Sequence, residues 1–134
     1  MKGLKGVLKR KIIITAIFWC IPLLTFPASL FIQLGVPSPE PIMFVRLLGA
    51  AYLALLVGYY MGLKGLDSGE NPVPVLSMGI TSNGLAFLIL TFFGVNGSWS
   101  SWGTGAQIFM WLSAAGALLI TVNLLRFRMR VKVI

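Results

Sequence analysis

Four long apolar stretches, separated by short polar segments, constrain the fold of this 134-residue chain more than any other feature. A helix needs about 20 mostly apolar residues to cross the hydrocarbon core of a bilayer. The stretches that reach this length cover residues 12–33, 42–63, 73–94 and 106–125. The sequence therefore predicts an all-α fold, in which residues 1–134 form one integral membrane domain. Because the connections are short, the four transmembrane helices should form a bundle with antiparallel neighbours.

The composition supports a membrane setting and excludes several other classes of protein. Hydrophobic residues make up 57% of the chain and charged residues only 10%, whereas soluble domains are about 25% charged. A small soluble core could not cover so much apolar surface, so membrane lipids are the first expected partner. These values are not those of a soluble enzyme, a disordered tail or a disulfide-rich secreted module.

The basic residues predict how the helices are oriented. Ten of the eleven lie in the N-terminal tail, the second loop or the C-terminal tail: Lys2, Lys5, Lys9, Arg10, Lys11, Lys64, Arg126, Arg128, Arg130 and Lys132. The positive-inside rule then places both termini in the cytoplasm. A bacterial inner (plasma) membrane is the favoured location, with an organellar membrane as the alternative. Neither basic tail resembles a nucleic-acid-binding motif, so no nucleic-acid partner is expected.

Arg46 is the only charged residue inside a predicted span. It lies about one helical turn from the outer end of the second span, where a guanidinium can extend to lipid phosphates. It could also bond to a loop carbonyl, or pair with Glu40, the only acid predicted on that side. We expect Arg46 to anchor this end of the helix, and the alternative is a site for an anionic headgroup or substrate.

Two uncharged polar residues lie near the predicted bilayer midplane. Asn83 is at the centre of the third span and Tyr52 is at a similar depth in the second. Lipid tails offer no hydrogen bonds, so a buried amide needs a partner within the protein. We expect Tyr52 and Asn83 to form a polar contact between these spans, and the alternative is a site for a small molecule or a quinone headgroup.

Small residues and prolines predict where helices pack and bend. One face of the second span carries Ala51, Ala54, Gly58 and Gly62. Such faces allow close helix–helix approach in lipid, either within this chain or against a partner subunit. Pro22 and Pro27 should kink the first span, which would shape its packing or open a groove.

The residues needed for most catalysis are missing from the sequence. The chain has no histidine, Cys20 is its only cysteine, and the four spans contain no acidic residue. Proton-coupled transporters usually need an acid within the membrane, and metal sites need ligand sets that are absent here. We therefore predict no catalytic residue, no bound cofactor and no metal, and interpret the protein as a non-enzyme.

The start of the second span carries a family resemblance. From Phe44 the chain reads Phe-Val-Arg-Leu-Leu-Gly-Ala-Ala-Tyr-Leu-Ala-Leu and continues to Gly58-Tyr59-Tyr60. This segment of about 20 residues resembles the small bacterial four-helix membrane proteins of the DoxX-like kind, whose topology also matches the remaining spans. The resemblance implies a small accessory membrane protein, since some members act as partners of membrane redox systems. It transfers no catalytic residue.

Together these features favour a non-catalytic accessory or assembly subunit of a larger membrane complex, partnered by other membrane protein subunits. The alternative is a small transporter, or a membrane carrier that binds a lipid or a quinone, using the kinked first helix, Arg46 and Asn83.

Overall fold

A computed structural model describes residues 2–37 and 40–131 of the chain. Every regular element in these ranges is helical, which confirms the all-α prediction. The elements, with their bounds, are α1 (Lys2–Thr15), a π-helical turn (Ala16–Cys20), α2 (Ile21–Thr25), α3 (Ala28–Gln33), α4 (Ile42–Asp67), α5 (Val73–Val95) and α6 (Thr104–Arg130).

Three of the helices, α4, α5 and α6, are long and apolar enough to cross a membrane. They have 26, 23 and 27 residues, with mean hydropathies of 1.9, 1.7 and 2.0 over their most apolar windows. Each contains one of the predicted spans and extends beyond it by one or more residues. The protein is therefore a multi-pass helical membrane protein.

The first predicted span is interrupted. Helical structure runs from Lys2 to Thr25, widens in the π-helical turn ahead of Pro22, and stops at Phe26. Phe26 and Pro27 have extended backbone, with ψ of 131° and 157°. Proline disfavours a helical conformation in the residue before it, which explains why the helix stops there. The six-residue helix α3 follows the break, so residues 12–33 form no single helix.

The chain divides into two compact units, one within Met1–Pro72 and the other within Val73–Ile134. In the first unit, α1 and α2 run antiparallel to α4, because Lys5 bonds Asp67 near one end and Arg46 bonds Leu23 near the other. In the second unit α5 and α6 are antiparallel neighbours: Gly84 approaches Thr121, and Gly94 approaches Trp111. The arrangement of all helices in one membrane domain stays a prediction.

Glycines with positive φ terminate two of the long helices. Gly69 follows α4 with φ +78°, and Gly97 follows α5 with φ +76°. This left-handed conformation suits glycine because it lacks a Cβ. After α4 it lets the Glu70 amide bond the Gly65 carbonyl at 2.8 Å, a common way to satisfy the last carbonyls of a helix.

Candidate functional site

Arg46 bonds directly to the main chain at the break in the first helical segment. Its Nη1 donates to the carbonyl oxygen of Leu23 and its Nη2 to that of Phe26, both at 2.7 Å. The side chain is half-buried. The sequence predicted Glu40, a loop carbonyl or a lipid phosphate as the partner of Arg46. Both observed acceptors are main-chain carbonyls: that of Leu23 belongs to α2 and that of Phe26 to the break after it.

These carbonyls need an outside donor because of the local sequence. In a continuous helix the amide of residue 27 would bond the carbonyl of residue 23, but Pro27 has no N–H. The Leu30 amide bonds the Pro27 carbonyl at 3.0 Å rather than continuing the α2 ladder to Phe26. Arg46 therefore supplies donors to two of the carbonyls at the C-terminal end of α2, those of Leu23 and Phe26, where a positive charge is also favoured by the helix dipole.

Gly49 allows α2 to approach α4 closely beside the guanidinium clamp, which is the pair of hydrogen bonds from Arg46 to the carbonyls of Leu23 and Phe26. A Cβ added at Gly49 would lie 2.9 Å from Leu24 Cγ and 3.1 Å from Leu23 Cβ, distances that leave no room for a side chain. Gly49 is buried, and its carbonyl lies 3.9 Å from the Cys20 Sγ. Sequence reasoning missed this glycine, although its position three residues after Arg46 puts both on one face of α4.

The two predicted midplane residues each have a partner within their own unit. Tyr52 stacks on Trp19, with ring centroids 5.4 Å apart and an interplanar angle of 29°. Asn83 is buried, and its amide nitrogen lies 2.7 Å from the Gly79 carbonyl and 3.4 Å from Ser82 Oγ. The amide thus bonds back onto its own helix. A contact between Tyr52 and Asn83 stays a prediction.

The predicted small-residue face of α4 is only partly covered. Ala51 and Ala54 are exposed, whereas Gly58 and Gly62 are half-buried. The fully buried positions of this helix are others: Gly49, Leu56, Tyr59, Gly65 and Leu66. Two of the four predicted packing positions are therefore available to lipid or to another helix.

A tryptophan cluster shapes the connection between α5 and α6. Trp99 packs edge-on against Trp111, with ring centroids 5.7 Å apart, and its ring centroid lies 6.4 Å from that of Trp102. A Cβ at Gly94 would be 2.5 Å from Trp99 Cζ2, so this glycine admits the indole. Gln107 donates to the carbonyls of Ser100 and Trp102, which ties the connection to α6.

Basic residues gather at the opposite end of the first unit from the clamp. Lys5 Nζ lies 2.5 Å from Asp67 Oδ1, and the Lys64 ammonium lies 5.0 Å from the centroid of the Tyr60 ring. Lys9 and Lys64 are exposed, whereas Lys11 is half-buried. Lys9 and Lys64 are thus better placed than Lys11 to present charge at this end. Glu40 is exposed at the start of α4.

No group of three or more metal-binding side chains occurs among residues 2–37 and 40–131. Comparison of the chain with protein families, curated proteins and solved structures finds no match. The DoxX-like resemblance accordingly stays a prediction. The site that the geometry defines is a guanidinium clamp at the break between α2 and α3, where Arg46 holds two main-chain carbonyls.

Proposed function

We propose that this protein is a non-catalytic accessory or assembly subunit of a larger membrane protein complex. The exposed stretch of α4 carrying Ala51 and Ala54 supports this assignment, since small residues there would let a partner helix approach closely. Around it, Leu53 and Val57 are also exposed. An uncovered apolar face with small residues suits a subunit that completes its packing on another protein.

We further propose four membrane crossings, with both termini in the cytoplasm of a bacterial inner membrane. The apolar part of the first segment begins after Lys11 and comprises residues 12–25, the break at Phe26 and Pro27, and α3 to Gln33. At 1.5 Å per residue, the 14 helical residues before the break are about 21 Å long and the six residues of α3 about 9 Å, together long enough to cross the hydrocarbon core. The clamp by Arg46 supports this crossing, because it satisfies carbonyls that lipid could not.

Crosslinking combined with mild solubilisation tests the accessory role. A photoreactive residue at position 54 should crosslink to a larger membrane protein that also co-purifies in stoichiometric amounts. The matched control is position 115, since Ala115 on α6 is an exposed alanine in an apolar helix as well. Crosslinks to lipid alone from position 54, with no co-purifying protein, would contradict the proposal.

The second candidate function is a carrier of a lipid or quinone. The observation that favours it is the opened first helix, where a half-buried guanidinium occupies the break and Trp19 stacks on Tyr52 deeper in the same unit. Recovery of the protein alone, as an oligomer with a stoichiometric extractable lipid or quinone, would support the carrier. If no lipid or quinone can be extracted from the purified protein, the carrier function is excluded and the accessory role is retained.

A further inference from the structure

We infer that Lys9 and Lys64 together bind the phosphate of an anionic phospholipid, whose acyl chains lie along the exposed apolar side chains beyond them. This site rests on membrane insertion, which the proposed function shares, but not on the accessory role. The site is built entirely from the first unit.

The pairing of α1 with α4 brings the two lysines to the same level. The two helices are antiparallel and are joined by the Lys5–Asp67 ion pair. Lys9 follows Lys5 by four residues, and Lys64 precedes Asp67 by three, so each lies on the bonded face of its helix. Both are therefore about one turn, roughly 5 Å, further along the bundle than the ion pair.

These two lysines are exposed and form no ion pair within residues 2–37 and 40–131. The charge of Lys9 acts on the Asp67 carboxyl, whose pKa is lowered first by Lys5 and then by Lys9, and the Lys64 ammonium lies over the Tyr60 ring. Of the two carboxylates at this end, Asp67 is bonded to Lys5 and Glu70 folds back over Gly65. Two ammonium groups at one level attract the single negative charge of a phosphate diester, and they can donate from both sides to its oxygens.

The neighbouring apolar side chains indicate a lipid phosphate rather than a free anion. On the first segment, Ile13 and Ile17 follow Lys9 at intervals of four residues, and each is more than half exposed. On α4, Met61 and Val57 precede Lys64 by three and seven residues, and each is again more than half exposed. Beyond the Lys5–Asp67 ion pair, the same face of each helix thus presents a lysine followed by exposed apolar side chains. A phospholipid entering the bilayer has the same order, with its phosphate outside and its acyl chains inside.

Native mass spectrometry of the full chain in mild detergent can test this site. The probes are phosphatidylglycerol and phosphatidylcholine with the same acyl chains. We expect phosphatidylglycerol to be retained preferentially, and the double variant Lys9→Gln/Lys64→Gln to bind it about 30-fold more weakly, since each surface lysine contributes about fivefold. Lys9→Arg/Lys64→Arg should retain binding because it keeps both charges.

The matched control removes the same charge elsewhere. Arg126 and Arg130 are exposed, lie four residues apart on α6 and belong to the second unit, so Arg126→Gln/Arg130→Gln should leave lipid retention unchanged. Circular dichroism checks that each variant remains helical; if the double variant loses helix, the single variants should each show about fivefold weaker binding.

Three results would overturn the site. The first is equal retention of phosphatidylcholine, and the second is an equal loss of binding in the Arg126/Arg130 variant. The third is displacement of phosphatidylglycerol by inorganic phosphate, which would make the lysines a free-anion site. None of these outcomes bears on co-purification with a partner, so failure of this site and failure of the accessory role are separable.

Discussion

Arg46 takes the place of the amide that Pro27 lacks. The helix that contains Leu23 loses one backbone donor because residue 27 is proline, and a guanidinium from a different helix restores it at 2.7 Å. The same side chain bonds the Phe26 carbonyl, so one residue of α4 serves two of the carbonyls at the break. The break between α2 and α3 is therefore stabilised by a side chain of α4 and not by the first segment itself.

Replacement of Arg46 by leucine should weaken the folded bundle without preventing insertion. The span becomes more apolar, which favours insertion, but the carbonyls of Leu23 and Phe26 lose their donors. An unsatisfied buried carbonyl costs about 1–3 kcal/mol, so we expect a loss of that order, measured by reversible denaturation in detergent micelles. Arg46→Lys should recover part of the loss, because an ammonium can serve one carbonyl but lacks the planar fork.

A double-mutant cycle isolates the link between Arg46 and Pro27. Alanine at position 27 would restore an amide that can bond the Leu23 carbonyl, so Arg46→Leu should cost less in the Pro27→Ala background. We expect a coupling free energy of about 1 kcal/mol between the two positions. Strictly additive losses would show that Arg46 stabilises the break by another route.

Gly94→Ala should destabilise the second unit by about 1–3 kcal/mol, the usual cost of overpacking. The new Cβ would lie 2.5 Å from Trp99 Cζ2 and 2.7 Å from Trp111 Cη2, and rigid indole rings have little room to move. The control is Gly116→Ala on α6, where a Cβ would meet nothing within 4 Å. Thermal unfolding followed by tryptophan fluorescence compares the two, and equal midpoints would refute the close packing at Gly94.

Asn83→Leu should weaken the bundle slightly without unfolding it. Hydrogen bonds between membrane helices average about 0.6 kcal/mol and reach about 2 kcal/mol, and the Asn83 amide already bonds the Gly79 carbonyl of its own helix. The measurement is denaturation of Asn83→Leu, Tyr52→Phe and the double variant. A coupling free energy between them would support the predicted contact, whereas additive effects would leave Asn83 as a residue that bonds only locally.

The two termini should report the same compartment. Reporter enzymes active only in the cytoplasm or only outside it, fused in turn to each end of the chain, measure this directly. The expectation rests on ten basic residues on one side against Arg46 on the other. Opposite compartments would mean that the first segment does not cross, leaving α4, α5 and α6 as the spans.

The helices themselves could be predicted because the signal is local. Apolar length alone indicated α4, α5 and α6, and the polar, glycine-containing segments after residues 63 and 94 marked where two of them end. The break at Phe26 was indicated only as a kink at Pro27. A full break requires other donors for the carbonyls that the helix no longer satisfies. For Leu23 and Phe26 that donor is Arg46, which lies 19 residues after Pro27 and could not be assigned from the local sequence.

The sequence by itself determined an all-helical membrane protein, because about 20 apolar residues in a row have few alternatives in lipid or water. Only the tertiary structure decided what the single intramembrane arginine does and which glycines pack. Arg46 had three plausible partners by position, and antiparallel pairing of α2 with α4 selected two main-chain carbonyls. Gly49 and Gly94 each allow a neighbouring side chain to pack against the helix backbone, whereas Ala51 and Ala54 remain exposed. Which small residues allow close approach depends on the side chains that face them, and these are set by the packing of the helices.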